Sequence, residues 1–212
     1  MSEKKSSRLS DEQAKFFRGK TFTLKGHMMF PELLKAVMTQ WKPDPIYQME
    51  FVIDEEDGKT TEAVKAINAI VKEYKEAYYA GKELKNWHVP IKDYETFRNG
   101  DGEKAHPRLK GKMWMKPWAS KTYPPSVFDV NKQKVTDPAE LVNGRKCLLH
   151  VGLYPYDTGT NKGVGLRFIA VVVLTGREEM GEQVDPDTAF AGFESEFKQE
   201  DQGRDAVADL NL

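Results

Sequence analysis

Apolar and polar positions in this chain alternate with period two in several stretches and recur at three-to-four spacing in one. Over residues 46–54, Tyr47, Met49, Phe51 and Ile53 fall on one side, and Gln48, Glu50 and Asp54 on the other. That spacing predicts a half-buried strand. Over 60–80, Val64, Ile67, Val71, Tyr74 and Tyr78 form a single apolar stripe, which predicts a helix. Thr60 or Thr61 is placed to cap its start, and Gly81 to end it in a left-handed conformation. Residues 145–156 and 163–176 read as two strong strands, and the loop between them holds Gly159 and Asn161, which suit a hairpin. A first strand is predicted at 20–25. Pro31 breaks the apolar stretch that follows, whose end suits a helical turn, and 41–45 reads as loop because it holds two prolines. Residues 82–109 are irregular and charged. A short strand is expected at 126–130, and one helical turn at 137–141 with Asp137 as cap and Pro138 in first position. Five or six strands, one substantial helix and no βαβ alternation imply a mainly β fold, an antiparallel sheet closed as a barrel.

The segment 110–118 changes the picture from fold to chemistry. As a strand it puts Lys110, Lys112, Trp114, Lys116 and Trp118 on one face and Met113, Met115 and Pro117 on the other. Exposed tryptophans invite aggregation, so two of them among three cations suggest a use. Unpaired bases need flat rings to stack on, at roughly 1–3 kcal/mol per base, and cations to follow the phosphates. The strand at 145–156 repeats the arrangement. Cys147, Leu149, Val151 and Leu153 face one way, while Lys146, His150, Gly152, Tyr154 and Tyr156 face the other. Gly152 leaves room for a close approach. Lys121 and Tyr123 extend the rim, and Arg167 lies in the next strand on a face the pattern does not fix. The plain alternative has Trp114 packed inward, the methionines outward, and the lysines lying over apolar surface.

Charge adds a second asymmetry. Residues 177–212 carry eleven acids and three bases, a net −8; residues 1–176 carry 29 bases and 22 acids, a net +7. A basic body points to a polyanion, and the tail is then either a competitor and protein handle or a solubilising extension. The expected organisation is a flexible N-terminal arm at 1–19, a body at 20–176 and an acidic tail at 177–212. The polar N-terminus has no apolar core of a secretory signal, and no run approaches the roughly 20 apolar residues of a membrane span. Single Cys147 fits a reducing compartment and excludes a cysteine-rich zinc site.

No catalytic residue, metal ligand or cofactor is expected. A Mg²⁺-dependent nuclease is the enzymatic alternative, with Asp93 and Glu95 or Asp101 and Glu103 as its carboxylate pairs. His27, His88, His106 and His150 lack metal spacing, and 159–165 lacks the order of a phosphate-binding loop. A protein-interaction module without nucleic acid is the third class. Phe190, Phe193 and Phe197 in the tail are spaced as a stripe for a partner or for the body of the same chain.

The order of several motifs resembles the phage single-stranded DNA-binding proteins of the Enc34 type, related in fold to that of phage T7. The motifs are MMFPELL (28–34), TTEAVKAINAIVKEY (60–74), Val89-Pro90-Ile91-Lys92-Asp93, and the aromatic-basic strand leading to Pro124-Pro125-Ser126-Val127-Phe128-Asp129. Asp137–Leu141, Asn143–Cys147 and the strand–turn–strand 147–175 follow. The resemblance runs over roughly 25–176. It implies an OB-fold five-stranded barrel, sequence-independent binding of single-stranded DNA in phage replication, recombination and repair, and a place in the cytoplasm of the infected host. It also implies a tail that contacts replication proteins such as polymerase and helicase-primase, and possible homo-oligomers. The tail here ends on Leu212, whereas such tails often end on phenylalanine.

Overall fold

The computed structural model describes residues 10–40, 42–84, 86–93, 111–157 and 161–177. Among these, five strands close a barrel. They are β1 (Thr21–Thr39), β2 (Lys42–Ile53), β6 (Trp118–Ser120), β8 (Arg145–Asp157) and β9 (Asn161–Arg177). β1 pairs with β2 and β8, β8 with β9, and β9 with β6, which returns to β2. All these pairings are antiparallel except the last to close: β6 meets β9 in parallel, through Trp118 opposite Arg167. This is the closed barrel expected from the residues, and the OB-fold that the resemblance implied, with one parallel seam. Four short strands extend it: β3 (Asn86–His88), β4 (Ile91–Asp93), β5 (Met113–Met115) and β7 (Ser126–Phe128).

The interior follows the alternation. Leu24, Met28, Met49, Phe51, Cys147, Leu149, Val151, Phe168 and Val171 are buried in one apolar cluster. Helix α2 (Gly58–Tyr79) seals it with Val64, Ile67, Val71 and Tyr74. Its cap is Asp57, whose carboxylate accepts the Thr60 N–H, while the Thr60 hydroxyl accepts the Lys25 N–H at 2.8 Å. Thr60 is therefore spent on joining helix to barrel rather than on capping. Gly81 follows the helix at φ +69°, as its position predicted.

Three expectations are corrected. The strand does not stop at Pro31: β1 runs to Thr39, and Pro31 falls in a bulge between Met29 and Glu32 where no ladder N–H is required. The proline-rich 42–45 begins β2, again where the register shifts. The end of the expected N-terminal arm is structured. Ser10 and Gln13 form a capping box at the start of α1 (Asp11–Phe16), and Phe17 behind it is buried. Gln13 Nε2 donates to the Tyr74 and Tyr79 hydroxyls, and Phe16 and Phe17 pack on the Tyr74 ring.

Candidate nucleic-acid interface

The 110–118 segment is two short strands, not one. Lys116-Pro117 interrupts the ladder, since Pro117 has no N–H. The register is nevertheless unbroken, because Trp114 lies opposite Val52 and Trp118 opposite Gln48, four residues apart on each strand. Met115 and Ala119 therefore point into the core, while Trp114, Lys116 and Trp118 belong to the outer wall.

The outward residues differ in what they leave open. Trp114 is only 5% exposed; its Nε1–H donates to the Asp93 carbonyl at 3.2 Å, and Lys92 Nζ stands 5.6 Å over its ring. The side chain, read from the sequence as a stacking surface, faces outward but is covered, and it holds β4 in place. Lys116 is paired with Glu50 at 3.3 Å, which offsets its charge. Lys112 is half-buried, and Lys110 lies outside the described residues.

Trp118 is the centre of the site. Its Nε1–H donates to Tyr154 Oη at 2.8 Å, and the two rings stand edge to face at 6.2 Å. Burial pushes the Tyr154 hydroxyl up to about 12, so it is a neutral phenol at physiological pH. Arg167, across the seam from Trp118, faces outward, is exposed, and makes no ion pair with a described carboxylate. This settles the face that alternation left open. Trp118, Tyr154, Arg167, Ala119, Ser120, Phe168 and Tyr123 line a cleft of about 190 Å³, and Tyr123 is 76% exposed.

Glycines shape this wall. A Cβ on Gly165 would sit 2.3 Å from Tyr154 Cζ, so the ring lies directly on the facing strand. Gly152, expected to leave room for a close approach by a backbone or a base, faces the guanidinium of Arg167, 3.3 Å from its would-be Cβ. Elsewhere on the wall, His150 Nδ1 meets the Thr23 hydroxyl at 2.9 Å, and half-buried Tyr156 packs on His88 with ring centroids 5.3 Å apart. Lys146 is half-buried opposite His27, and Lys121 is exposed beside Tyr123. The structure thus gathers Trp118, Tyr123, Tyr154 and Arg167 at one cleft. It sets Lys146 apart at the other end of β8.

Sequence reasoning missed Lys42. Its Nζ lies 3.8 Å over the Trp118 ring, and burial lowers its pKa. It sits in a segment read as loop, and the β2–β6 pairing carries its strand to Trp118. Among the described residues no three His, Cys, Asp or Glu side chains come together as a metal site; of the candidate carboxylates only Asp93 is described. No helix among them is long and apolar enough to cross a membrane.

Residues 20–205 match the family described as Enterobacter phage Enc34, ssDNA-binding protein. The chain belongs to that family. Its fold is shared with the single-stranded DNA-binding protein from bacteriophage Enc34, at 16% identity and a TM-score of 0.59 over 82% of this chain and 91% of that one. The same protein in complex with ssDNA gives 14% and 0.59, over 85% and 100%. The single-stranded DNA-binding protein encoded by bacteriophage T7 gives 20% and 0.54, over 80% and 93%. Among curated proteins, none matches at the level of sequence.

Proposed function

We propose that this chain binds single-stranded DNA without reading its sequence and without chemistry on it. The observation that carries this is the open cleft in which an indole, a phenol ring and an exposed guanidinium without a described carboxylate partner stand together on the barrel wall. Trp118, Tyr154 and Tyr123 offer ring faces to unpaired bases. Arg167, Lys121 and Lys42 meet the phosphates. Family membership supports the same ligand class.

The role is in phage DNA replication and recombination within the infected bacterial cell. The acidic tail 177–212, whose residues 178–212 lie outside the described ones, acts as a handle for replication proteins and competes with DNA for the basic body. The charge split supports this.

Titration of the full chain with poly-dT, read by tryptophan fluorescence, tests the proposal. Quenching and a steep salt dependence are expected, and Trp118→Leu should weaken binding by about tenfold. Removing 177–212 should raise affinity most at low salt. Absence of binding would leave a protein-interaction module, and Mg²⁺-dependent degradation of the oligonucleotide would leave a nuclease.

A further inference from the structure

The outward side chains of β8 and β9 form rows that continue past Tyr154. Arg167 lies opposite Gly152, Gly165 opposite Tyr154, and Gly163 opposite Tyr156. Each row is two residues further along, about 7 Å apart. In the last two rows a ring faces a glycine, so nothing on β9 stands up between successive rings. The third row has one more member, because β3 pairs with β9 in parallel and sets His88 against Gly163. A Cβ on Gly163 would sit 2.1 Å from the His88 carbonyl oxygen and 2.7 Å from its nitrogen, so the β3 backbone rests directly on this glycine. That contact brings the His88 ring to 5.3 Å from Tyr156, tilted by 47°. Beyond His88 opens a second cleft, of about 340 Å³, lined by Trp87, His88, Val89, Ile91, Lys92 and Asp93.

We propose that a single strand held at Trp118 continues over Tyr154 and Tyr156 onto His88, and that the cleft of residues 87–93 takes a further unpaired base. This rests on the reading of the Trp118 cleft as a single-strand site and extends it to a segment whose residues suggested only irregular structure. The cleft has the mixed lining such a ligand needs. Trp87, His88 and partly exposed Val89 offer flat or apolar surface, and Lys92 supplies a cation. Lys116 lies close enough to Lys92 to lower its pKa further, after burial. Asp93 is the one carboxylate in the lining, and its carbonyl is already engaged by Trp114. Burial and the Lys92 charge hold the His88 imidazole below its usual range, so it stacks as a neutral ring at physiological pH.

The test uses the full chain and oligo-dT of increasing length. Wild-type affinity should rise until the track is filled. His88→Ala should match wild type on the shortest oligonucleotides that bind and fall behind on long ones, on the order of tenfold. His88→Phe, which keeps a ring, should restore the long-oligonucleotide affinity, and thermal melts of both variants should confirm an intact fold. Lys92→Ala should reduce the salt slope by about one for long strands only. Equal affinity of His88→Ala and wild type at every length would overturn the extension, as would equal weakening at every length or failure of Phe to restore binding. Any of these outcomes leaves the Trp118 site standing if Trp118→Leu still weakens short strands; loss of that effect removes the parent site itself.

Discussion

Three glycines of the β8–β9 wall make an ordered series. In Gly165→Ala the new methyl group would sit 2.3 Å from Tyr154 Cζ and 2.5 Å from its Oη. The ring must swing away. It then loses the bond accepted from Trp118 Nε1, about 0.5–1.5 kcal/mol, and the edge-to-face pair, about 0.5–1.5 kcal/mol. The stiffer unfolded chain returns about 0.4–1 kcal/mol, leaving a net loss of about 0–2.6 kcal/mol, centred on about 1.3. Binding of poly-dT should fall on the order of tenfold, because both rings leave their seats. Gly152→Ala meets only the Arg167 guanidinium and Ile169 Cδ1, both at 3.3 Å. Those tips yield by tenths of an ångström, so stability should stay within about 0.5 kcal/mol. Gly163→Ala meets the His88 backbone at a φ of +152°. Backbone cannot swing aside, and β3 must leave β9, at about 3 kcal/mol or more. Urea melts followed by circular dichroism, with poly-dT titrations on the same samples, give the order 163, 165, 152. A Gly165→Ala variant as stable and as tight-binding as wild type would refute the seating of Tyr154.

The two outer tryptophans should separate. Trp114→Leu removes a buried side chain and its hydrogen bond to the Asp93 carbonyl, costing about 2–3 kcal/mol in urea melts, while affinity for the shortest oligo-dT that binds stays within about threefold. Burial pushes the Cys147 thiol up to about 12, and the side chain is fully enclosed, so a thiol-disulfide reagent at pH 8 should label it only in denaturant. Labelling of the folded chain within minutes would contradict that enclosure. Tyr154, at about 12 in the fold against about 10 unfolded, contributes stability that is complete below pH 10 and lost as pH rises towards 12. Tyr154→Phe should flatten that part of the stability–pH curve; an unchanged slope would show an exposed phenol.

Much of this was legible in period two and period four. The stripe Val64–Ile67–Val71–Tyr74 gave α2, and the inward set Cys147, Leu149, Val151 and Leu153 gave β8 and its partner. Local rules failed where tertiary pairing overrode them. Pro31, Pro43 and Pro45 read as breakers because each lacks a donor, yet bulges and register shifts supply positions where none is needed. The site was half legible for a related reason. Alternation tells which way a side chain leaves the strand but not what covers it. Trp114 and Trp118 share a face, and the β4 backbone and Lys92 help make one of them unavailable. Lys42 and His88 carried no local signal, since each reaches the wall through a pairing distant in sequence.

The barrel closes where the proposed site is. Pro117 removes a donor beside the seam, the β6–β9 ladder is a single pair, and that pair is Trp118 with Arg167. A seam joined by so few backbone bonds is held by side chains: the Trp118–Tyr154 hydrogen bond crosses from β6 over β9 to β8, and the Gly165 seat lets the Tyr154 ring lie low enough to make it. The same contacts fix the orientation of the rings a base would meet. Ring placement and barrel closure are therefore one physical problem, and a substitution that frees Tyr154 should loosen the seam as well as the ligand.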